Sequence, residues 1–208
     1  MLTKLMKKIN QQRNNVAKVC YRSLSTDDTA WRPTRKSKEF YAEEAIRRNY
    51  YYALDNRGQL FLEDSKHCNV ATSLKDKAFL NFFYRQLRPN ITAISDYPYI
   101  SLCGKEQNFL YCEDMSSPFV YGSLEKQGND HILSIGQSSL QQVFQPELLK
   151  YCSKSDRIYH KIIHHKYLSD MYGLLHPHII QDFAKRLSVS NNDILLDWEG
   201  KVYELSVK

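Results

Sequence analysis

The chain has 208 residues and a mass of 24.5 kDa, with 42% hydrophobic and 25% charged residues; these are ordinary globular proportions, and a chain of this size needs neither a metal nor a disulfide merely to fold. No apolar run approaches the roughly 20 residues that span a bilayer, which excludes a membrane-spanning helix. The formal charge of +6 does not argue for nucleic-acid binding: six of the 29 Lys and Arg lie in residues 1–26, which hold no acid, and the remaining 23 balance 23 Asp and Glu, whereas counterion release from phosphates calls for a basic surface.

Residues 1–26 read as an address. Leu2, Leu5, Met6 and Ile9 fall at i, i+3, i+4 and i+7 on one helical face, with Lys4, Lys7 and Lys8 largely opposite. A basic, acid-free, amphipathic start followed by Arg22-Ser23-Leu24-Ser25-Thr26 has the character of a mitochondrial targeting segment, cut somewhere around residues 22–30. The membrane potential draws such a helix inward, by about 2 kcal/mol per charge per 100 mV. The expected location is therefore mitochondrial, in the matrix. The bland alternative is a basic amphipathic helix that lies on a membrane or a partner. A secretory signal fits poorly, because no continuous apolar core of about 7–15 residues is present.

Residues 27–48 read as a polar linker and a short helix over 38–48, with Tyr41, Ala45 and Ile46 inward. Residues 49–208 are expected to form a single globular domain. Residues 50–54 and 59–62 make a hairpin around Asp55-Asn56-Arg57-Gly58, where the glycine can supply a positive φ. Ser73 begins a helix as its cap, with Asp76 three residues on. Phe79, Leu80, Phe83 and Leu87 form the apolar face of that helix, and Arg88-Pro89-Asn90 ends it. A second hairpin joins 97–103 to 108–113. A turn centred on Lys105-Glu106 would set Cys103 opposite Asn108 and Cys112 opposite Tyr99.

Residues 119–121 and 131–135 suggest two more strands, and 146–151 a helical turn. Pro177 opens a helix carrying Ile179, Ile180, Phe183, Ala184 and Leu187, since a first-turn amide has no helical partner to lose. Residues 194–198 and 201–207 make a last hairpin about Glu199-Gly200. No repeat is visible. The expected fold class is α+β: a mainly antiparallel sheet built from hairpins, with two or three helices packed on one face.

The five cysteines are Cys20, Cys68, Cys103, Cys112 and Cys152. Their number is odd and no C-x-x-C occurs, so they read as thiols, mostly small buried side chains.

Three stretches carry a resemblance: Tyr50-Tyr51-Tyr52-Ala53-Leu54-Asp55-Asn56-Arg57-Gly58-Gln59-Leu60-Phe61-Leu62-Glu63-Asp64-Ser65-Lys66, then Phe82-Phe83-Tyr84-Arg85-Gln86-Leu87-Arg88-Pro89-Asn90, and Ser101-Leu102-Cys103-Gly104-Lys105-Glu106-Gln107-Asn108-Phe109-Leu110-Tyr111-Cys112-Glu113-Asp114. They resemble the uncharacterised protein family 0598, a domain of unknown function, over roughly residues 49–121. Tyr159-His160 and Trp198-Glu199-Gly200 are the landmarks farther on. The resemblance implies a mitochondrial association for animal members and no particular activity.

Three sets of residues are candidates for chemistry. Asp64, Lys66, Arg85, Arg88, Lys105, Glu113 and Asp114 lie in the family-like segments. Arg85 and Arg88, three apart, would share a helical face able to hold a carboxylate or phosphate, and Glu113 or Asp114 would serve as a base. Solvated charges worth little are the competing reading. His160 and His164 have the i, i+4 spacing that zinc sites use, yet no acid stands between them and Lys161 and Lys166 add positive charge. Cys103 or Cys112 would be a nucleophile only beside a base or cation. With only 7 Gly, neither a G-x-G-x-x-G nor a Walker-type loop occurs. No cofactor is indicated.

Two functions remain. One is a non-catalytic binding or assembly factor, acting through an aromatic sheet surface on a protein or small molecule. The other is an enzyme that turns its charged cluster on an anionic substrate. Convergence of Asp64, Arg85, Arg88 and Glu113 in one pocket would favour the enzyme.

Overall fold

The computed structural model describes residues 31–92, 94, 96–190 and 193–207; the segment read as a targeting helix lies outside them. Among the described residues, three α-helices, α1 (Lys38–Ile46), α2 (Lys77–Gln86) and α3 (Pro177–Phe183), accompany fourteen strands. The first sheet is built from β1 (Asn49–Leu54), β2 (Leu60–Leu62), β3 (Leu87–Pro89), β4 (Tyr99–Cys103) and β5 (Glu106–Cys112), in the order β2-β1-β5-β4-β3. The second holds β6 (Val120–Gln127), β7 (Asp130–Ile135), β8 (Gln141–Val143), β9 (Leu149–Cys152), β10 (Arg157–Lys161), β11 (Tyr172–Leu175), β12 (Leu187–Ser190), β13 (Asp193–Trp198) and β14 (Lys201–Val207). Its order is β12-β13-β14-β9-β10-β11-β6-β7-β8.

Both sheets are mixed, which corrects the expectation of a mainly antiparallel sheet. The pairs β1–β5, β6–β11 and β9–β14 are parallel. These three closures follow one plan. A hairpin is followed by a connection and a three-strand meander, and the last strand of the meander pairs parallel with the first strand of the hairpin. The plan appears as β1-β2 with β3-β4-β5, as β6-β7 with β9-β10-β11, and as β9-β10 with β12-β13-β14; the last two share a hairpin. The sequence shows no repeat because the repetition lies in pairing, not in residues.

The turn chemistry read from the sequence is observed at both ends of the chain. Gly58 has φ 76°, and Asp55 accepts the amides of Arg57 and Gln59 on its Oδ1. The last hairpin closes with Trp198 opposite Lys201, and Glu199 and Gly200 both have positive φ. The β4–β5 turn differs from expectation. Gly104, at φ 59°, takes the left-handed position, so the loop is Gly104-Lys105 and Cys103 faces Glu106. The register slips by two residues, which sets Ser101 opposite Asn108 and Tyr99 opposite Leu110.

Helix α2 is capped by Asp76, whose side chain accepts the Phe79 amide at 2.7 Å, and not by Ser73. It runs straight into β3, so Arg85 ends a helix while Arg88 sits in a strand. In α1 it is Glu44 that turns inward, and Ile46 is 84% exposed. The reason is that Glu44 finds donors: Tyr51 at 2.6 Å and Asn49 at 2.9 Å.

The helices do not share one face. Adjacent residues of β1 point to opposite sides. Tyr52 packs with Phe79 and Phe83 of α2, in a core that continues through Phe119, Tyr121, Phe183 and Trp198 of the second half. Tyr51 packs with Tyr97, Ile100 and Phe109 under Phe40 and Tyr41 of α1. The stretch expected to be a linker is latched to this second face. Arg32 donates to the carbonyls of Glu63 and Ser65, and Lys36 reaches the Glu63 side chain. Among the described residues, no helix is long and apolar enough to cross a membrane.

Candidate functional site

The charged residues named from the sequence occupy separate places. Asp64 and Lys66 follow β2 at one edge of the first sheet, whereas Arg88 lies in β3 at the other. Four inter-strand spacings of about 4.8 Å separate those edges. Arg88 stacks on Tyr167, with its guanidinium carbon 3.9 Å from the ring centre, and shares a wide surface cleft with Lys105. Arg85 remains in the last turn of α2.

Glu113 and Asp114 follow β5, at the seam between the sheets. Glu113 Oε2 accepts the Asn56 amide at 2.9 Å. Asp114 Oδ2 accepts from Arg157 at 2.8 Å and from the Tyr159 hydroxyl at 2.6 Å, and its Oδ1 accepts from Ser116. Burial alone would raise the Asp114 carboxyl, but those donors outweigh it and hold the group below the ordinary range. This is a closed ion pair whose lone pairs are spent. Sequence reading missed Arg157 and Tyr159 because they come from β10, 43 and 45 positions away; the one signal was the family-like Tyr159-His160 pair.

A second closed cluster surrounds Glu63, which is fully buried. Lys36, Tyr41 and Tyr97 all reach its carboxylate. The Lys36 ammonium also lies 5.1–5.3 Å from the ring centres of Phe40, Tyr51 and Tyr97.

The histidines stand on strand and loop, not on a helix. His160 belongs to β10 and is buried, while His164 has φ 57° in the following loop. His160 Nδ1 contacts the Lys161 carbonyl at 2.7 Å, and Nε2 accepts the Gln145 amide at 3.0 Å. Burial, chiefly, pushes its pKa down to about 4. A metal needs the lone pair that the Gln145 amide already occupies. Among the described residues, no group of three or more His, Cys, Asp and Glu is placed to hold a metal ion. Cys112 is buried, and burial pushes its thiol well up, away from thiolate chemistry.

One concavity is not closed by its own neighbours. Between α2 and the uncovered ends of β1, β4 and β5 lies a cleft of about 210 Å³. Its walls are the rings of Tyr50, Tyr52, Phe79, Phe82 and Phe83, with Phe82 41% exposed. The floor is polar: Ser101 and Asn108, facing each other across β4 and β5. Cys103 and Glu106, also directly opposite, stand at the rim. The Gly104 turn creates this arrangement, because the register expected from the sequence would have put Cys103 against Asn108.

On the floor, the Ser101 hydroxyl donates to the Phe83 carbonyl at 2.8 Å, and Asn108 Nδ2 donates to the Ser101 carbonyl at 3.0 Å. Asn108 is only 4% exposed, and among the described residues its Oδ1 receives no donor. Among the described residues no Lys, Arg or His lines the cleft, and the charged group opposite Cys103 is the Glu106 carboxylate, which does not stabilise a thiolate. Phe79 and Phe83 were legible in the sequence as a helix face; the cleft was not, since it depends on where α2 stops covering the sheet.

A family model described as "Domain of unknown function (DUF4505)" matches residues 41–208. Two solved structures, both described as DUF1285 family proteins, are also similar. One, from Shewanella baltica OS155, is 17% identical, with a TM-score of 0.43 over 65% of this chain and 91% of that one. The other, from Silicibacter pomeroyi DSS-3, is 14% identical, with a TM-score of 0.45 over 83% of this chain and 91% of that one.

Proposed function

The chain belongs to the DUF4505 family of unknown function, and from that premise we propose that it is a non-catalytic binding protein whose α2 cleft holds a small molecule. The observation that carries this reading is the contrast in polar accounting. Asp114, Glu63 and Glu44 are satisfied by partners within the fold, so their burial is explained by structure. The Asn108 oxygen at the floor of an aromatic cleft takes no donor from the described residues and faces the open cleft instead. Concave, largely apolar sites with a few placed polar groups are where small ligands bind. Asp64 follows one edge strand of the first sheet and Arg88 lies in the other, which favours the binding reading over an enzyme that gathers those charges on an anionic substrate.

Native mass spectrometry of protein purified gently from its own cells tests the reading. The wild type should retain a small molecule that a Phe82→Glu variant loses. Both proteins at their bare polypeptide masses, with no ligand found by titration either, would end it.

The protein works inside mitochondria in this proposal. The support is the acid-free, basic start of the chain. A C-terminal tag on the full chain, and on one lacking residues 1–26, provides the check: cytosolic behaviour of both forms would refute it.

A further inference from the structure

We propose that the α2 cleft recognises a small organic cation, an aryl- or alkylammonium whose apolar body lies among the rings and whose N–H groups meet Asn108 Oδ1 and the Glu106 carboxylate. The inference rests on the binding reading above and adds the chemistry of the ligand.

Three features converge on it. First, the rings of Tyr50, Phe79 and Phe82 line the cleft, and aromatic faces attract cations through their quadrupole. Second, the floor offers an acceptor. Asn108 has committed Nδ2 to the Ser101 carbonyl; the opposite amide orientation would set two oxygens against each other, so Oδ1 is the atom left over. That oxygen is not one of the fully buried unpartnered atoms, so solvent reaches it through the cleft and a ligand N–H can take the place of water there. Third, the only charge lining the cleft is negative. Glu106 is half-buried and takes part in none of the ion pairs among the described residues. Burial first, and then the fields of Glu106 and Tyr50, push the Tyr52 hydroxyl up to about 12, consistent with Glu106 facing the same space. Glu106 also borders the wide cleft of Arg88 and Lys105, but neither of those cations lines this one.

Selectivity follows from what the site would leave unsatisfied. A neutral aromatic alcohol would fill the walls and could donate to the Asn108 oxygen, but it would leave the Glu106 carboxylate without a counter-charge. An anion would meet Glu106 with no compensating cation in the lining. Only a donor-rich cation answers both groups.

The probes are 2-phenylethylamine, 2-phenylethanol and 3-phenylpropionate, titrated at pH 7 into the full chain and followed through the Asn108 side-chain amide in ¹H–¹⁵N spectra. The amine should bind saturably and at least about tenfold more tightly than the alcohol, as expected when a cation–π contact and a charge-assisted hydrogen bond are both gained. The carboxylate should bind weakest. Glu106→Gln should erase the preference for amine over alcohol. Phe82→Ala, a truncation at an exposed position, should weaken the amine without lowering the melting temperature. If alcohol or carboxylate binds as well as the amine, the cation assignment is wrong and the binding reading survives. If no probe, and no member of a neutral and anionic fragment set, moves Asn108, both fall.

Discussion

Lys36→Met tests whether the segment preceding α1 is part of the fold. Methionine keeps most of the aliphatic stem and removes only the ammonium. That ammonium is 3.1 Å from Glu63 Oε1 and 2.6 Å from the Tyr97 hydroxyl, and it sits among three aromatic rings. A hydrogen bond to a charged group contributes roughly 1.5–3 kcal/mol, and a cation–π contact at a partly exposed site about 0.5–1 kcal/mol. The lysine side chain is 32% exposed, so solvent screening favours the low end of both ranges. Glu63 has no exposure at all and loses its only ion-pair partner, while Tyr41 and Tyr97 continue to donate to it. The expected cost is about 2–3 kcal/mol, which in a chain of this size lowers the melting temperature by roughly 4–10 °C. Thermal unfolding followed by circular dichroism measures it, and a double-mutant cycle with Glu63→Gln should show a coupling of about 1 kcal/mol or more. A Lys36→Met protein within about 0.5 kcal/mol of wild type, with no coupling, would mean that the latch contributes nothing.

Three further outcomes are expected. Burial, chiefly, raises Asp55 to about 6, while burial lowers His160 to about 4. The aspartate's contribution is full below about pH 4 and lost as pH rises through 6; the histidine's is full above about pH 6.5 and lost as pH falls through 4. The two oppose each other in that window. Asp55→Asn keeps the Oδ1 acceptor for Arg57 and Gln59, so it should stabilise the protein at pH 8, leave pH 4 nearly unchanged, and steepen the loss of stability from pH 6.5 to 4 in urea titrations; equal slopes in variant and wild type would refute the assignment. Gly173→Ala should destabilise by about 3 kcal/mol or more, because the new methyl would lie 2.5 Å from Tyr121 and 3.1 Å from Phe119, both fully buried rings; a melting temperature near that of wild type would show that the rings can give way. Tyr84→Phe should be neutral or slightly stabilising, since the buried hydroxyl lacks a partner; a loss above about 1 kcal/mol, read by chemical denaturation, would show that the hydroxyl is satisfied after all.

Local features of the fold were legible wherever one residue's chemistry decides the backbone. Asp55 and Gly58 specify a hairpin because the aspartate can accept the turn amides and the glycine can adopt a positive φ. Pro177 opens α3, and the spacing of Phe79, Leu80 and Phe83 marks the buried side of α2, as observed. Each of these depends on neighbours within a few positions. Small errors arose where two local choices were nearly equivalent: Ser73 and Asp76 both suit a helix cap, and Gly104 moved a turn by one residue.

What tertiary structure alone decided is every contact between distant segments. The parallel pairings β1–β5, β6–β11 and β9–β14 carry no local signature, because a strand reads the same whichever neighbour it joins. Arg157 reaches Asp114 across 43 positions and Lys36 reaches Glu63 across 27, distances at which composition and periodicity are silent. The α2 cleft depends on both levels. Its rings and its asparagine were present in the sequence, but they became a site only when Gly104 set the register that faces Ser101 with Asn108, and when α2 ended short of covering them. Turn and helix chemistry is encoded in adjacent residues; the closing of a sheet is encoded in the burial of the whole chain.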